Sequence, residues 1–270
     1  MQKNATPHAA SLVMINASTE KLILCKEGIE SWRFTVFGQH ALADAASAWF
    51  YEFFGIHSET DVRRKGGIVE LVTQTDNVAA KLTITGGIKA DFTLSAESGG
   101  DEEIKGFTVF PAADRELRTS FIARAAQFVA AHPDLIRIAA GEEFAWHAED
   151  RQAGYAKISQ LLRSIDLSSE GCSDFRLQIN RPRVVQIEGV EVPINRLMVW
   201  CCKSLRIAIL NMGNFEQGPA PVVANAASVQ TDVNTKPECL FHQLNPDLQK
   251  QVVFRLFDQS LQISEDGDRP

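Results

Sequence analysis

Two long runs in which apolar and polar residues alternate, Asp174–Ile187 and Val190–Leu210, meet at Glu188-Gly189, and they limit the fold more than any other feature of the chain. Alternation with a period of two makes each run a strand with one apolar face, and a two-residue turn at Glu188-Gly189 makes the pair an antiparallel hairpin. That turn sets Phe175 opposite Cys202, Leu177 opposite Trp200 and Ile179 opposite Met198, so one face is wholly apolar there. Carried toward the turn, the same register sets Arg181 opposite Arg196, with Arg183 two residues along, on one face. Like charges at that spacing repel, so an acidic or anionic group is needed to neutralise them. A bulge at Gly189 would slip the register by one and separate the arginines, so the expectation depends on the turn.

A second hairpin follows from the same rule. Leu82 and Ile84 must share a face with Ala90 and Phe92, which pairs residue 84 with 90 and leaves Gly86-Gly87-Ile88 as a three-residue loop. The Gly-Gly step is a turn device; no helix start follows it, so it does not cradle phosphate. Strands are predicted at Gly67–Thr75, Val78–Thr85, Lys89–Ala96 and Ile104–Phe110. Ser11–Asn16, Lys21–Cys25 and Trp32–Phe37 read as a three-stranded meander.

Helical periodicity punctuates the strands. From Gln39, Leu42, Ala45, Ala46, Trp49, Phe50, Phe53 and Phe54 recur at helical steps up to Gly55, a C′ residue. Pro111 is expected to open a second helix with Leu117, Phe121, Ala125, Phe128 and Val129 on one face, closed by His132-Pro133-Asp134. A third helix covers roughly 149–165, and Asn245-Pro246-Asp247 caps a fourth through Phe257. Gly141-Glu142-Glu143, followed by Phe144-Ala145-Trp146-His147, reads as a solvated acidic loop with an aromatic anchor.

The expected architecture is α+β, with mixed, mainly antiparallel strands in a meander and hairpins, packed by three to four amphipathic helices. Residues 10–210 form the α+β domain after a flexible 1–9. Residues 211–244 form a long loop or linker, 245–258 a C-terminal helix packing on the domain, and 259–270 a disordered tail. Met14-Ile15-Asn16 and Gln178-Ile179-Asn180 echo one another, a faint hint of two related halves.

Composition excludes some functions. A formal net charge of −7 weighs against nucleic acid, which needs clustered cations to displace phosphate counterions. No run of about 18 uncharged apolar residues marks a membrane span, and the N-terminal residues lack a signal-peptide core. Five scattered cysteines, an odd number, fit reduced thiols, so the expected setting is cytoplasmic.

Catalytic signatures are missing: no Gly-x-Ser-x-Gly elbow, Walker-type loop, dinucleotide fingerprint or His-Glu-x-x-His helix occurs. The adjacent carboxylates Glu102-Glu103, Glu142-Glu143 and Glu149-Asp150 are neighbours in turns, not convergent acid–base pairs. Cys239-Leu240-Phe241-His242 has metal-ligand spacing, but Cys201 and Cys202 point to opposite strand faces, so neither a metal nor any other cofactor is expected.

What remains is charge. Arg176, Arg181, Arg183, Arg196, Lys203 and Arg206 stand against only Glu188 and Glu191 within 176–206, in an otherwise acidic chain. Guanidinium forks bind phosphate and carboxylate, so Arg181, Arg183 and Arg196 are the candidate anion ligands. Ion pairs to the chain's own acidic segments, such as Glu142-Glu143, are the plainer alternative.

Two functional expectations follow. The first is a non-catalytic binding or regulatory protein that engages a protein partner or forms a homo-oligomer. The second is a binder, or an enzyme, acting on an anionic small molecule that is nucleotide-like or phosphorylated, held by the arginines. The missing motifs lean against an enzyme.

Overall fold

A computed structural model describes residues 27–38, 43–64, 66–74, 78–97, 109–111, 115–162, 165, 175–207 and 222–267. In chain order the elements are β1 (Glu27–Phe37), α1 (Ala46–Phe54), β2 (Thr60–Arg64), β3 (Ile68–Gln74), β4 (Val78–Thr85), β5 (Lys89–Ala96) and β6 (Phe110–Pro111). There follow α2 (Arg115–Ala131), β7 (Arg137–Ala148), α3 (Arg151–Leu161), β8 (Arg176–Asn180), β9 (Arg183–Ile187), β10 (Val190–Ile207), β11 (Val222–Thr235) and α4 (Pro246–Asp266).

The strands build one antiparallel sheet in the order β2-β3-β4-β5-β1-β7-β11-β10-β8, with β6 paired to β1 and β9 to β10. The fold is α+β, as the alternating periods predicted. No helix among the described residues is long and apolar enough to cross a membrane.

The sheet order contains a repeat. In each half a strand leads into a helix, then a set of antiparallel strands returns until the last pairs with the first, and a second helix follows. The sequences are β1-α1-β2-β3-β4-β5-α2 and β7-α3-β8-β9-β10-β11-α4. The two leading strands meet antiparallel at the centre, Phe34 opposite Ala140. The repeat therefore matches β1 with β7, whereas the Met14-Ile15-Asn16 echo lies outside the described residues.

One face of the sheet carries the helices and the core. Trp32, Phe34, Val36, Leu82, Phe92, Leu94, Trp200 and Val229 are buried there, and alternation sends their neighbours to the other face. The helix α1 fits its predicted aromatic stripe, with Phe50, Phe53 and Phe54 buried. It ends at Gly55 in the left-handed region, φ 72°, as expected of a C′ glycine. Asp150 caps α3 by accepting from the Ala153 N–H, and Asn245 caps α4 by accepting from the Leu248 N–H, with Pro246 next in line.

The opposite face is polar and cross-linked. Arg33 on β1 reaches across β7 to Asp232 on β11 at 2.8 Å. Gly141 makes the reach possible, because a Cβ there would sit 3.2 Å from the Arg33 side chain and 2.8 Å from the Thr231 carbonyl oxygen.

Several expectations are corrected. Residues 141–148 are no solvated loop; they belong to the central strand β7, and Glu142 is 4% exposed. Within the expected 211–244 loop, residues 222–235 form β11, which is paired on both sides. Residues 208–221 lie outside the described residues. The tail expected at 259–270 is helical through Asp266, with Gln259, Ser260 and Ile263 buried. Trp32–Phe37 is part of a longer strand, β1, while Ser11–Asn16 and Lys21–Cys25 lie outside the described residues. Pro111 sits in β6 rather than opening α2. The edge strand β2 had no alternation to reveal it, since all five of its residues are exposed.

Candidate anion-binding site

The turn chemistry comes first. Glu188 and Gly189 both have positive φ, 49° and 82°, the conformation of a two-residue hairpin turn whose twist suits the flanking strands. The register is the one the alternation required: Leu177 faces Trp200, Ile179 faces Met198, and Arg183 faces Ile194. No bulge intervenes, and the Arg181 N–H donates to the Arg196 carbonyl oxygen at 2.9 Å. Arg181, Arg183 and Arg196 therefore share one face, and it is the helix-bearing face on which Met198 and Trp200 are buried.

The Arg196 side chain is only 3% exposed, and its Nε and Nη1 are buried with no hydrogen-bond partner. Arg181 and Arg183 are half-buried. Burial, and then the neighbouring charges of Arg183 and Arg181, pull the Arg196 guanidinium down to about 10, while Asp266 in the last turn of α4 acts in the opposite sense. It remains a cation at neutral pH. Arg183 and Arg196 form no ion pair among the described residues.

The plainer alternative, ion pairs to the chain's own acidic segments, holds for Lys203 of the basic segment but for neither Arg183 nor Arg196 among the described residues. Glu142 points to the helix-bearing face, where its Oε1 accepts from Arg118 Nε on α2 at 2.7 Å. Glu143 points to the other face and pairs with Lys203, which also binds Glu30 at 2.6 Å. Alternation thus divides the basic segment: Lys203 and Arg176 lie on the open face, and Arg181, Arg183 and Arg196 on the helix face. The Arg206 side chain lies outside the described residues.

A second polar centre was not foreseen. Arg118, besides binding Glu142, donates from Nη2 to the Phe257 carbonyl oxygen at 2.9 Å. Thr231 accepts from the Glu142 backbone N–H at 2.9 Å and meets the Ser260 hydroxyl at 2.5 Å. Burial raises the Glu142 carboxyl above its ordinary range, and the Arg118 charge opposes that rise. Arg118 also borders a cavity of about 430 Å³ among Ile29, Arg115, Thr119, Phe144 and Trp146. A polar residue inside a strand read as a loop gave no sign of a partner on a distant helix.

The remaining candidates do not converge. Cys201 lies opposite Ser228 on the open face, whereas Cys202 lies under α3, its Sγ 3.9 Å from the Arg151 carbonyl oxygen. Among the described residues no group of three or more His, Cys, Asp or Glu could hold a metal ion. Asp150 is occupied as a helix cap, and Glu102-Glu103 lies outside the described residues. Comparison of the sequence with protein-family models and with curated proteins gives no match.

Proposed function

We propose that this chain is a non-catalytic binding protein that receives an anionic small molecule at Arg181, Arg183 and Arg196. The observation that carries the reading is Arg196: an arginine 3% exposed, with two guanidinium nitrogens unpartnered, beside a second cation that forms no ion pair among the described residues. Leaving such donors unsatisfied costs about 1–3 kcal/mol each, more when they are charged, and a bound anion removes that cost. The protein partner or second copy also expected from the sequence is the alternative reading, and Arg196 is what puts the anion first. A cytoplasmic setting belongs to the same proposal; Cys201, Cys202 and Cys239 are free thiols.

Thermal unfolding in low salt, with and without millimolar phosphate, sulfate or carboxylate anions, tests the proposal. An anion that binds only the folded chain stabilises it by about 2.7 kcal/mol at a hundredfold excess over its Kd. Arg183→Ala should abolish most of the shift while leaving the anion-free Tm nearly unchanged, because the Arg183 side chain is half-buried and forms no ion pair among the described residues. Equal anion responses in the two proteins would sink the site.

A further inference from the structure

We infer that the anion is one dianionic phosphate group, as a phosphate monoester carries, an inference that rests on the anion reading above. Arg183 and Arg196 bring two positive charges to adjacent positions on one sheet face, and neither forms an ion pair among the described residues. A carboxylate has one charge and two oxygens, enough to satisfy a single guanidinium fork. A phosphate monoester at neutral pH has about two charges and three oxygens, enough for both forks at once.

Position argues for one group rather than a chain of them. Arg181, just past the end of β8, donates its N–H to the carbonyl of Arg196 on β10, and Arg183 on β9 is the diagonal neighbour of Arg196, a set of backbone positions spanning roughly 5–8 Å. Arginines rooted that close are within reach of one tetrahedral group. A nucleic-acid backbone would need cations strung along it, and the flanking positions on this face, Val185, Ile187, Ile179 and Met198, are apolar.

The groups around the site set its pH behaviour. The step between β8 and β9 contributes Arg181, β9 contributes Arg183, β10 contributes Arg196, and α4 contributes Asp266. Arg255 lies on the same stripe of α4, about three turns earlier. A guanidinium is a cation throughout pH 5–8, the buried Arg196 at about 10 included, so within that range the titrating partner is the ligand, whose second pKa is about 6.

Isothermal titration with methyl phosphate, sulfate and acetate between pH 5 and 8 decides the matter, with Asp266→Asn as a second protein in which the helix carboxylate cannot titrate. The expected result is methyl phosphate affinity that is level above pH 7 and falls toward tenfold per pH unit below about 6. Sulfate, a dianion throughout, should stay level, and acetate at pH 7.5 should bind at least tenfold more weakly. The methyl phosphate slope should persist in Asp266→Asn, with affinity for all anions raised several-fold. Acetate binding as tightly as methyl phosphate, or a methyl phosphate profile as flat as that of sulfate, would overturn the dianion and leave the anion site standing. Failure of every anion to bind would overturn both.

Discussion

The two halves of the sheet share a topology and differ in what covers their outer strands. In the first half, β3, β4 and β5 present Val69, Leu71, Ala80, Leu82, Ile84 and Phe92 to α1, and the helix answers with Phe50, Phe53 and Phe54. In the second half, α3 packs on β7, β11 and β10, and α4 reaches β9 and β10. Amid Val192, Ile194, Met198 and Trp200, that surface also holds Arg196, flanked by Arg181 and Arg183. The first half shows that this arrangement of strands closes with no charged side chain on the face of β3, β4 and β5 that meets α1. Three guanidiniums on one face, one of them buried, cost stability through lost hydration and mutual repulsion. Places where a chain breaks its own packing rule are where function is to be sought.

The largest expected effect tests the sealed half. Phe53 is 1% exposed and its ring centroid lies 4.2 Å from that of Phe92, 5.4 Å from Phe121 and 5.9 Å from Phe128. Phe53→Ala should cost about 3–5 kcal/mol, since the surrounding rings are held by β5 and α2 and collapse only partly into the space. Urea unfolding should show a lower midpoint with an unchanged m-value. A loss below about 1 kcal/mol would mean that α1 is loosely seated and that the contrast between the halves is weaker than the burial suggests.

What the sequence disclosed follows the same division. Local devices were legible: the register of both hairpins came from period-two alternation and from the glycines that turn them, and α1 from its aromatic spacing. The same register delivered Arg181, Arg183 and Arg196 onto one face. Central strands were not legible. The strand β7 contains Gly141-Glu142-Glu143, which reads as a turn until Arg118 and Lys203 arrive from far along the chain to take the two carboxylates. The strand β11 runs through Ala226, Ala227 and Ser228, residues of weak strand preference that suit a position between two neighbouring strands. Arg118 and Glu142 met only through tertiary packing, which no spacing encodes.

The next effect is smaller and opposite in sign. Arg196→Met keeps a long side chain in the same place and removes the buried charge, so the second half comes to resemble the first. The anion-free protein should be unchanged or more stable by about 1–4 kcal/mol, as when buried ionic groups give way to packed hydrocarbon. Any response to anions should vanish with it. Measuring Tm with and without phosphate reads both. A loss of stability beyond about 2 kcal/mol would mean that Arg196 is compensated inside the protein and that the halves differ in construction alone.

The smallest effect asks whether the difference between the halves extends into their turns. Gly86 and Gly189 each turn a hairpin, one in either half, with φ of 62° and 82°, and a Cβ built on either meets nothing within 4 Å. Alanine at each position therefore adds no clash, only the backbone cost of the left-handed conformation, about 1 kcal/mol. Gly86→Ala and Gly189→Ala should lower stability by the same amount in chemical unfolding, because a turn is a local matter and both loops stand in open space. A markedly larger loss at Gly189 would show that its turn holds more than its own two residues. That turn fixes the register that opposes Arg181 and Arg196, and a one-residue slip would part them, so an excess would measure how firmly the turn holds the arginines in place. Saturating phosphate should then widen the gap between the two variants, since the ligand would reward the register that only the Gly189 turn enforces.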